Sequence, residues 1–305
     1  MTTIAFVFPG QGSQYVGMGR DLYQQSANAR AIFERADSVL GFSLSKICFE
    51  GPEDELRQTR NTQPAIFLHS MVVAAALEDL EPQMVAGHSL GEYSALVAAG
   101  AISFEDALRI VRLRGELMQR AGEMNKGTMA AVVGLEPEAI ETVCAEASAA
   151  GIVQPANFNS PGQIVISGSV DGVHNAMELA KHRGAKLVKE LVVSGAFHSP
   201  LMESAKEGLK AALDKTELRD ASIPVYANVT AEPVRRASDI RELLYKQVTS
   251  PVRWEGLVRN MVRDGATVFY EIGPGKVLQG LIKRTESGVQ AGGFDKYTDL
   301  QPVAR

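Results

Sequence analysis

Ser89 sits in Gly87-His88-Ser89-Leu90-Gly91, between an apolar run at 84–86 and a helix-prone stretch at 94–99. Gly-x-Ser-x-Gly at a strand-to-helix junction describes a nucleophile elbow: the sharp turn exposes the serine hydroxyl, and the glycines let neighbouring backbone approach closely. The chemistry this offers is attack on a carbonyl. The N–H of Leu90, opening a helix, points toward an oxyanion forming on a carbonyl bound to Ser89 and is one candidate donor to it. The competing reading is an ordinary turn containing glycine and serine; the strand before and the helix after favour the elbow.

A serine nucleophile needs a base, and the chain has five histidines. His174 and His182 fall on a helix where solvated positions are expected, His69 lies within an apolar helix, and His88 adjoins Ser89 but should project away from it. His198 stands in Ser194-Gly195-Ala196-Phe197-His198-Ser199-Pro200, just before a helix with Ser199 as N-cap and Pro200 as first residue. A loop histidine is by default simply exposed; the presence of the elbow makes His198 the best-placed base.

Two further positions bear on substrate. On the helix at 104–122, Ala107, Leu108, Val111, Gly115 and Met118 share one stripe, and Arg114 falls inside it while Arg109, Arg112 and Arg120 do not. A buried arginine keeps its charge and must meet an anion or several acceptors, so Arg114 is either a structural, salt-bridged arginine or a clamp for a substrate carboxylate. Gln11, between Gly10 and Gly12 in the loop after the first apolar run, is either part of an ordinary turn or a second main-chain donor facing the reacting carbonyl. That loop lacks the third glycine of a dinucleotide loop, since Tyr15 takes its place, and Val277 after Lys276 breaks the Walker pattern.

The elements that must hold these residues follow from periodicity. Residues 4–8 form a continuous apolar run, as in a strand buried on both faces of a parallel sheet. Helical spacing covers 21–40, 63–80 and 104–122, and strand-like runs return at 223–229 and 267–272, the last followed by Gly273-Pro274-Gly275 and a helix from Lys276. Between 127 and 194 the order reads β-α-β-β-α-β: extended at 128–135, 152–157, 163–167 and 185–193, helical at 137–150 and 170–183, with a hairpin turn at Asn159-Ser160-Pro161-Gly162. The expected fold is α/β: an α/β-hydrolase-like catalytic domain with a mostly parallel sheet from 1–126 and 195–305, and a ferredoxin-like subdomain inserted at 127–194, with the cleft between them. From Ser287 onward the chain is polar and glycine-containing and reads as a loosely packed tail.

Composition sets the outer limits. The 305 residues include 31 basic and 36 acidic side chains, a net charge of −5 that argues against affinity built on phosphate neutralisation. Cys48 and Cys144 lie far apart without ligand spacing, so neither a disulfide framework nor a zinc site is expected, and a reducing cytoplasm fits. The N-terminus lacks a basic signal-peptide region, and no run is long enough to span a membrane.

Together these residues resemble the malonyl-CoA:acyl carrier protein transacylases. The resemblance rests on Phe8-Pro9-Gly10-Gln11-Gly12-Ser13-Gln14, Asn61-Thr62-Gln63-Pro64-Ala65, the Ser89 motif with Glu92, Arg114-Gly115, Ala156-Asn157-Phe158-Asn159-Ser160-Pro161, Phe197-His198-Ser199, and Glu271-Ile272-Gly273-Pro274-Gly275. It implies Ser89 as nucleophile, His198 as base, Arg114 on the malonyl carboxylate, and Gln11 with Leu90 as oxyanion donors. It also implies that a main-chain carbonyl, at Gln247, orients the histidine in place of a carboxylate. The implied reaction is ping-pong transfer from malonyl-CoA to the phosphopantetheine thiol of acyl carrier protein, without cofactor or metal, by a protein expected to be a monomer. Gly195-Ala196-Phe197-His198 is also similar to the His-Ala-Phe-His signature of malonyl-selective polyketide acyltransferases, with glycine in the first position, so the carrier could serve fatty acid or polyketide assembly. Two other readings remain beside it: a serine hydrolase using the same elbow, and a catalytically silent scaffold subunit.

Overall fold

The computed structural model describes residues 2–77 and 80–300. Among the described residues ten strands follow in chain order: β1 (Ile4–Phe8), β2 (Met84–Gly87), β3 (Gly127–Val133), β4 (Val153–Ser160), β5 (Gln163–Ser169), β6 (Leu187–Glu190), β7 (Val225–Tyr226), β8 (Pro233–Val234), β9 (Val268–Ile272) and β10 (Gln290–Phe294). They form two sheets. The larger has the order β10-β9-β1-β2-β7-β8 and is parallel except at the β7–β8 edge. β1 is central because both its faces are apolar. Alternation sends Phe6 and Phe8 into one core with Phe33, Phe67 and Val85, and Ala5 and Val7 into a second core with Trp254, Leu257 and Phe269. No helix among the described residues is long and apolar enough to cross a membrane.

The smaller sheet has the order β4-β5-β3-β6 with all three neighbouring pairs antiparallel, the ferredoxin-like arrangement of a β-α-β-β-α-β unit. Helices Pro137–Ala147 and Val170–His182 cover one face, packing Ile140, Val143, Val173 and Ala176 on Ala130, Val132, Ile164 and Ile166. The opposite face turns Met129 and Val165 toward the larger unit, where they line its cleft. The first helical run is broken in two, Arg20–Gln25 and Ala27–Leu40, because Ser26 is extended and its hydroxyl caps the second helix by accepting from the Ala29 N–H.

Three expectations shift. The helix expected at 63–80 is Thr59–Ala74; Glu78 and Asp79 lie outside the described residues. It contains Pro64, whose missing N–H frees the Arg60 carbonyl, and Arg112 Nη1 donates to that carbonyl at 2.9 Å. The strands expected at 185–193 and 223–229 are shorter, confined to β6 and β7. Residues 287–300 are not a loose tail, and 301–305 lie outside the described residues: β10 adds to the edge of β9 in parallel register. Gly292 packs under the Tyr270 ring, Asp295 accepts from the Tyr15 hydroxyl (2.9 Å) and the Gly275 N–H (3.2 Å), and the Tyr297 N–H reaches Asp21 (2.7 Å). Polar side chains in that stretch are anchors for loops on the sheet's carboxyl edge, a role invisible until those loops are in place.

Candidate active site

The loops after β1, β2 and β9 leave the carboxyl edge of the sheet on either side of β1, where the strand order changes direction and open α/β sheets place their ligand crevice. The first two line a cleft of about 340 Å³ with Gly10–Ser13 and with His88, Ser89 and Leu90, and the helix that follows the loop after β9 adds Val277, Leu278 and Leu281. Arg114 and His198 close the inner end, and Met129, Val165, Leu191 and Val193 come from the inserted unit.

Ser89 has φ of 50°, the left-handed conformation that a nucleophile elbow forces on its serine. The turn is possible because of its flanking glycines: a Cβ on Gly87 would lie 1.8 Å from the Gly91 carbonyl carbon, and one on Gly91 would lie 2.1 Å from the Phe8 carbonyl oxygen. Asn228 completes the turn, accepting from the Ser89 N–H at 2.6 Å and donating to the Gly87 carbonyl at 2.7 Å. The backbone N–H groups of Leu90 and Gln11 have no acceptor among the described residues, and both residues face the cleft.

Ser89 and His198, 109 positions apart, meet at 2.8 Å between Oγ and Nε2. His198 Nδ1–H donates to two main-chain carbonyls, Gln247 at 2.9 Å and Ser250 at 3.1 Å, which fixes the tautomer and leaves Nε2 free to accept the serine proton. Burial, with the positive charge of Arg114 next in importance, holds the imidazole pKa down to about 3, so the ring is neutral at physiological pH.

Arg114 is 1 % exposed. Nη1 donates to Gln63 Oε1 at 2.7 Å, and Nη2 donates to Gln247 Oε1 and Ser89 Oγ, each at 2.9 Å. The Tyr93 ring lies 5.7 Å from its guanidinium carbon. Among the described residues every hydrogen-bond partner is neutral and none is a carboxylate within salt-bridge distance. Such a guanidinium, aimed at the serine oxygen, can receive an anion carried by whatever ester or thioester Ser89 attacks.

The structure therefore brings Ser89, His198, Arg114, Gln11, Leu90 and the Gln247 carbonyl to one cleft. His88 does turn from Ser89, its Nε2–H donating to Asn159 Oδ1 at 2.9 Å. Sequence reasoning missed the polar group beneath the site. The Gln247 side chain donates through Nε2 to Glu92 Oε2 (2.7 Å) and the Ser89 carbonyl (3.0 Å) while its Oε1 faces Arg114. Glu92, buried, also accepts from the Asn228 N–H at 3.2 Å, and burial pushes its pKa up to about 7 against these hydrogen bonds and the pull of Arg114. The sequence signals were Glu92, three residues past the nucleophile, and Gln63 within the Asn61–Ala65 motif; Asn228 carried none. Gly195 is needed for packing, since a Cβ there would lie 2.9 Å from the Gly122 Cα.

The model of the acyl transferase domain family matches residues 5–295. The chain is similar to the malonyl CoA-acyl carrier protein transacylase of Bacillus subtilis, 50% identical over 287 residues, 93% of this chain and 90% of that one. Its fold is similar to an acyl carrier protein S-malonyltransferase of Vibrio cholerae, with TM-score 0.95 and 42% identity over 98% of this chain and 99% of that one. It is equally similar, at TM-score 0.95 and 40% identity over 98% of each chain, to a malonyl-transacylase solved in complex with a type II polyketide-synthase acyl-carrier protein. The chain belongs to the acyl transferase domain family and, within it, to the malonyl CoA-acyl carrier protein transacylases.

Proposed function

We propose that this acyltransferase moves malonyl from malonyl-CoA to the phosphopantetheine thiol of acyl carrier protein through a malonyl ester on Ser89. The observation that carries the reading is Arg114 Nη2 at 2.9 Å from Ser89 Oγ, buried and without a carboxylate partner among the described residues. A free carboxylate one methylene from the thioester carbonyl would meet it as that carbonyl reaches the serine.

In the first half-reaction Ser89 Oγ gives its proton to His198 Nε2 and bonds to the thioester carbon. The Gln11 and Leu90 N–H groups hold the oxyanion, the carbon–sulfur bond breaks, and the CoA thiolate takes the proton from His198. The carrier thiol then gives its proton to His198 and attacks the Ser89 ester, and Ser89 recovers the proton. The two carbonyls behind Nδ1 orient the ring with less basicity than a carboxylate would confer, which suffices for a thiol acceptor. Malonate beside Arg114 offsets the positive charge that depresses His198, so the base strengthens as the donor binds. The unpaired buried cysteines suit a reducing cytoplasm, where the product supplies fatty acid elongation, and the chain acts as a monomer without cofactor.

The test is intact mass after mixing with malonyl-CoA, with Ser89→Ala beside it, followed by acyl carrier protein. A Ser89-dependent malonyl adduct, stable in water and discharged onto the carrier, is expected. An adduct lost without the carrier would make the protein a hydrolase, and no adduct at all would leave a scaffold.

A further inference from the structure

The base and the loop that orients it are both tied to the inserted sheet by one side chain. Gln154, on β4, donates through Nε2 to the main-chain carbonyl of His198 at 2.8 Å and to that of Thr249 at 3.3 Å. Thr249 lies between Gln247 and Ser250, whose carbonyls receive His198 Nδ1–H. Both amide hydrogens of Gln154 are thereby committed, one to the peptide of the base and one to the loop behind it. The same strand reinforces that loop beyond its register shift at Pro155/Asn157: the Ala156 carbonyl accepts from the Val252 N–H at 2.8 Å, and the Phe158 N–H donates to the Val252 carbonyl at 2.9 Å. A bulge of this kind re-aims a strand, here from its own sheet toward the larger unit.

His198 needs such support. Its φ is 57°, a left-handed conformation that is strained for a non-glycine residue and persists only where the surroundings over-determine it. We propose that Gln154 is a positioning residue for the catalytic base, holding the His198 peptide and its acceptor loop in one frame so that Nε2 stays on the Ser89 hydroxyl. The proposal rests on the reading of Ser89 and His198 as nucleophile and base. It makes the inserted unit a part of the proton-transfer machinery as well as a wall of the cleft.

The test measures single-turnover acylation by malonyl-CoA, with thermal melting and donor affinity, for Gln154→Met and Gln154→Glu across pH 5 to 9. Gln154→Met keeps the length and loses both donors; acylation should slow by about tenfold to a hundredfold, the scale of a small misplacement in a reacting pair, with donor affinity unchanged. Gln154→Glu places a carboxylate against two carbonyl oxygens, and only its protonated form can donate. Its rate should recover relative to Gln154→Met as pH falls, a dependence that a purely structural tie does not produce. The imidazole Nδ1 proton resonance should shift or broaden in Gln154→Met. Wild-type acylation in Gln154→Met, or a Gln154→Glu profile parallel to that of the native enzyme, would overturn the proposal. Ser89→Ala and His198→Ala run alongside: adduct formation in those variants would instead overturn the assignment of the pair itself.

Discussion

Replacing Arg114 with methionine retains an apolar stem and removes the guanidinium, so the consequence can be worked out for two donors that differ only in a carboxylate. With malonyl-CoA, the substrate anion enters a site where Arg114 was 1 % exposed and finds no counter-charge. Breaking a buried charge pair costs about 3–5 kcal/mol; the cleft is open at its mouth, so the lower figure applies, and ~3 kcal/mol corresponds to roughly a 150-fold slower acylation at 1.36 kcal/mol per decade. With acetyl-CoA no such anion exists, and the loss is confined to the Nη2 contact with Ser89 Oγ, on the order of 1 kcal/mol or about fivefold. Gln63 and Gln247 lose a donor each, so melting should fall by several degrees and rates must be taken well below the transition. The assay is single-turnover adduct formation followed by mass, with both donors, from pH 4 to 9. Because Arg114 lowers the His198 pKa, its removal should also move the acid limb of the profile upward from near 3 toward the ordinary imidazole value. Equal losses with the two donors would refute the clamp, and an unmoved acid limb would refute the electrostatic coupling.

Gly87→Ala should prevent formation of the elbow, with destabilisation above ~3 kcal/mol in denaturant titration, because its Cβ meets backbone at 1.8 Å; native-like stability would show that the turn can relax. Asn228→Ala removes two hydrogen bonds to the elbow, and a loss of about 2–3 kcal/mol with slower acylation is expected; full activity would mean that the glycines alone hold Ser89. Glu92 has a folded-state pKa pushed from 4.5 to about 7, so its contribution to stability is fully present below 4.5 and is lost as pH rises through 7, by at most ~3 kcal/mol. Glu92→Gln should therefore narrow the difference in unfolding free energy between pH 5 and pH 8.5, and an unchanged difference would show that Glu92 is charged in the folded protein throughout.

Local pattern determined much of this protein. The buried run Ile4–Phe8, the Gly87–Gly91 turn and the β-α-β-β-α-β order of the inserted unit are set by period, turn chemistry and steric limits within short stretches, so they were legible in the sequence. Arg114 was legible as a buried cation because helical geometry alone puts it in an apolar stripe. Its partners were not: Gln63, Gln247 and Ser89 come from three separate segments, and neutral side chains carry no periodic or charge signal announcing whom they meet. The stretch from Ser287 was misread for the same reason, since an edge strand rich in glycine and polar residues is stabilised by the partner edge and loops it finds. Only the tertiary structure decided that Glu92 lies beneath the nucleophile, that two carbonyls share the His198 proton, and that Gln154 reaches across from the inserted sheet. These are contacts between residues remote in sequence, and their energies depend on burial and distance, which exist only once the chain has closed around them.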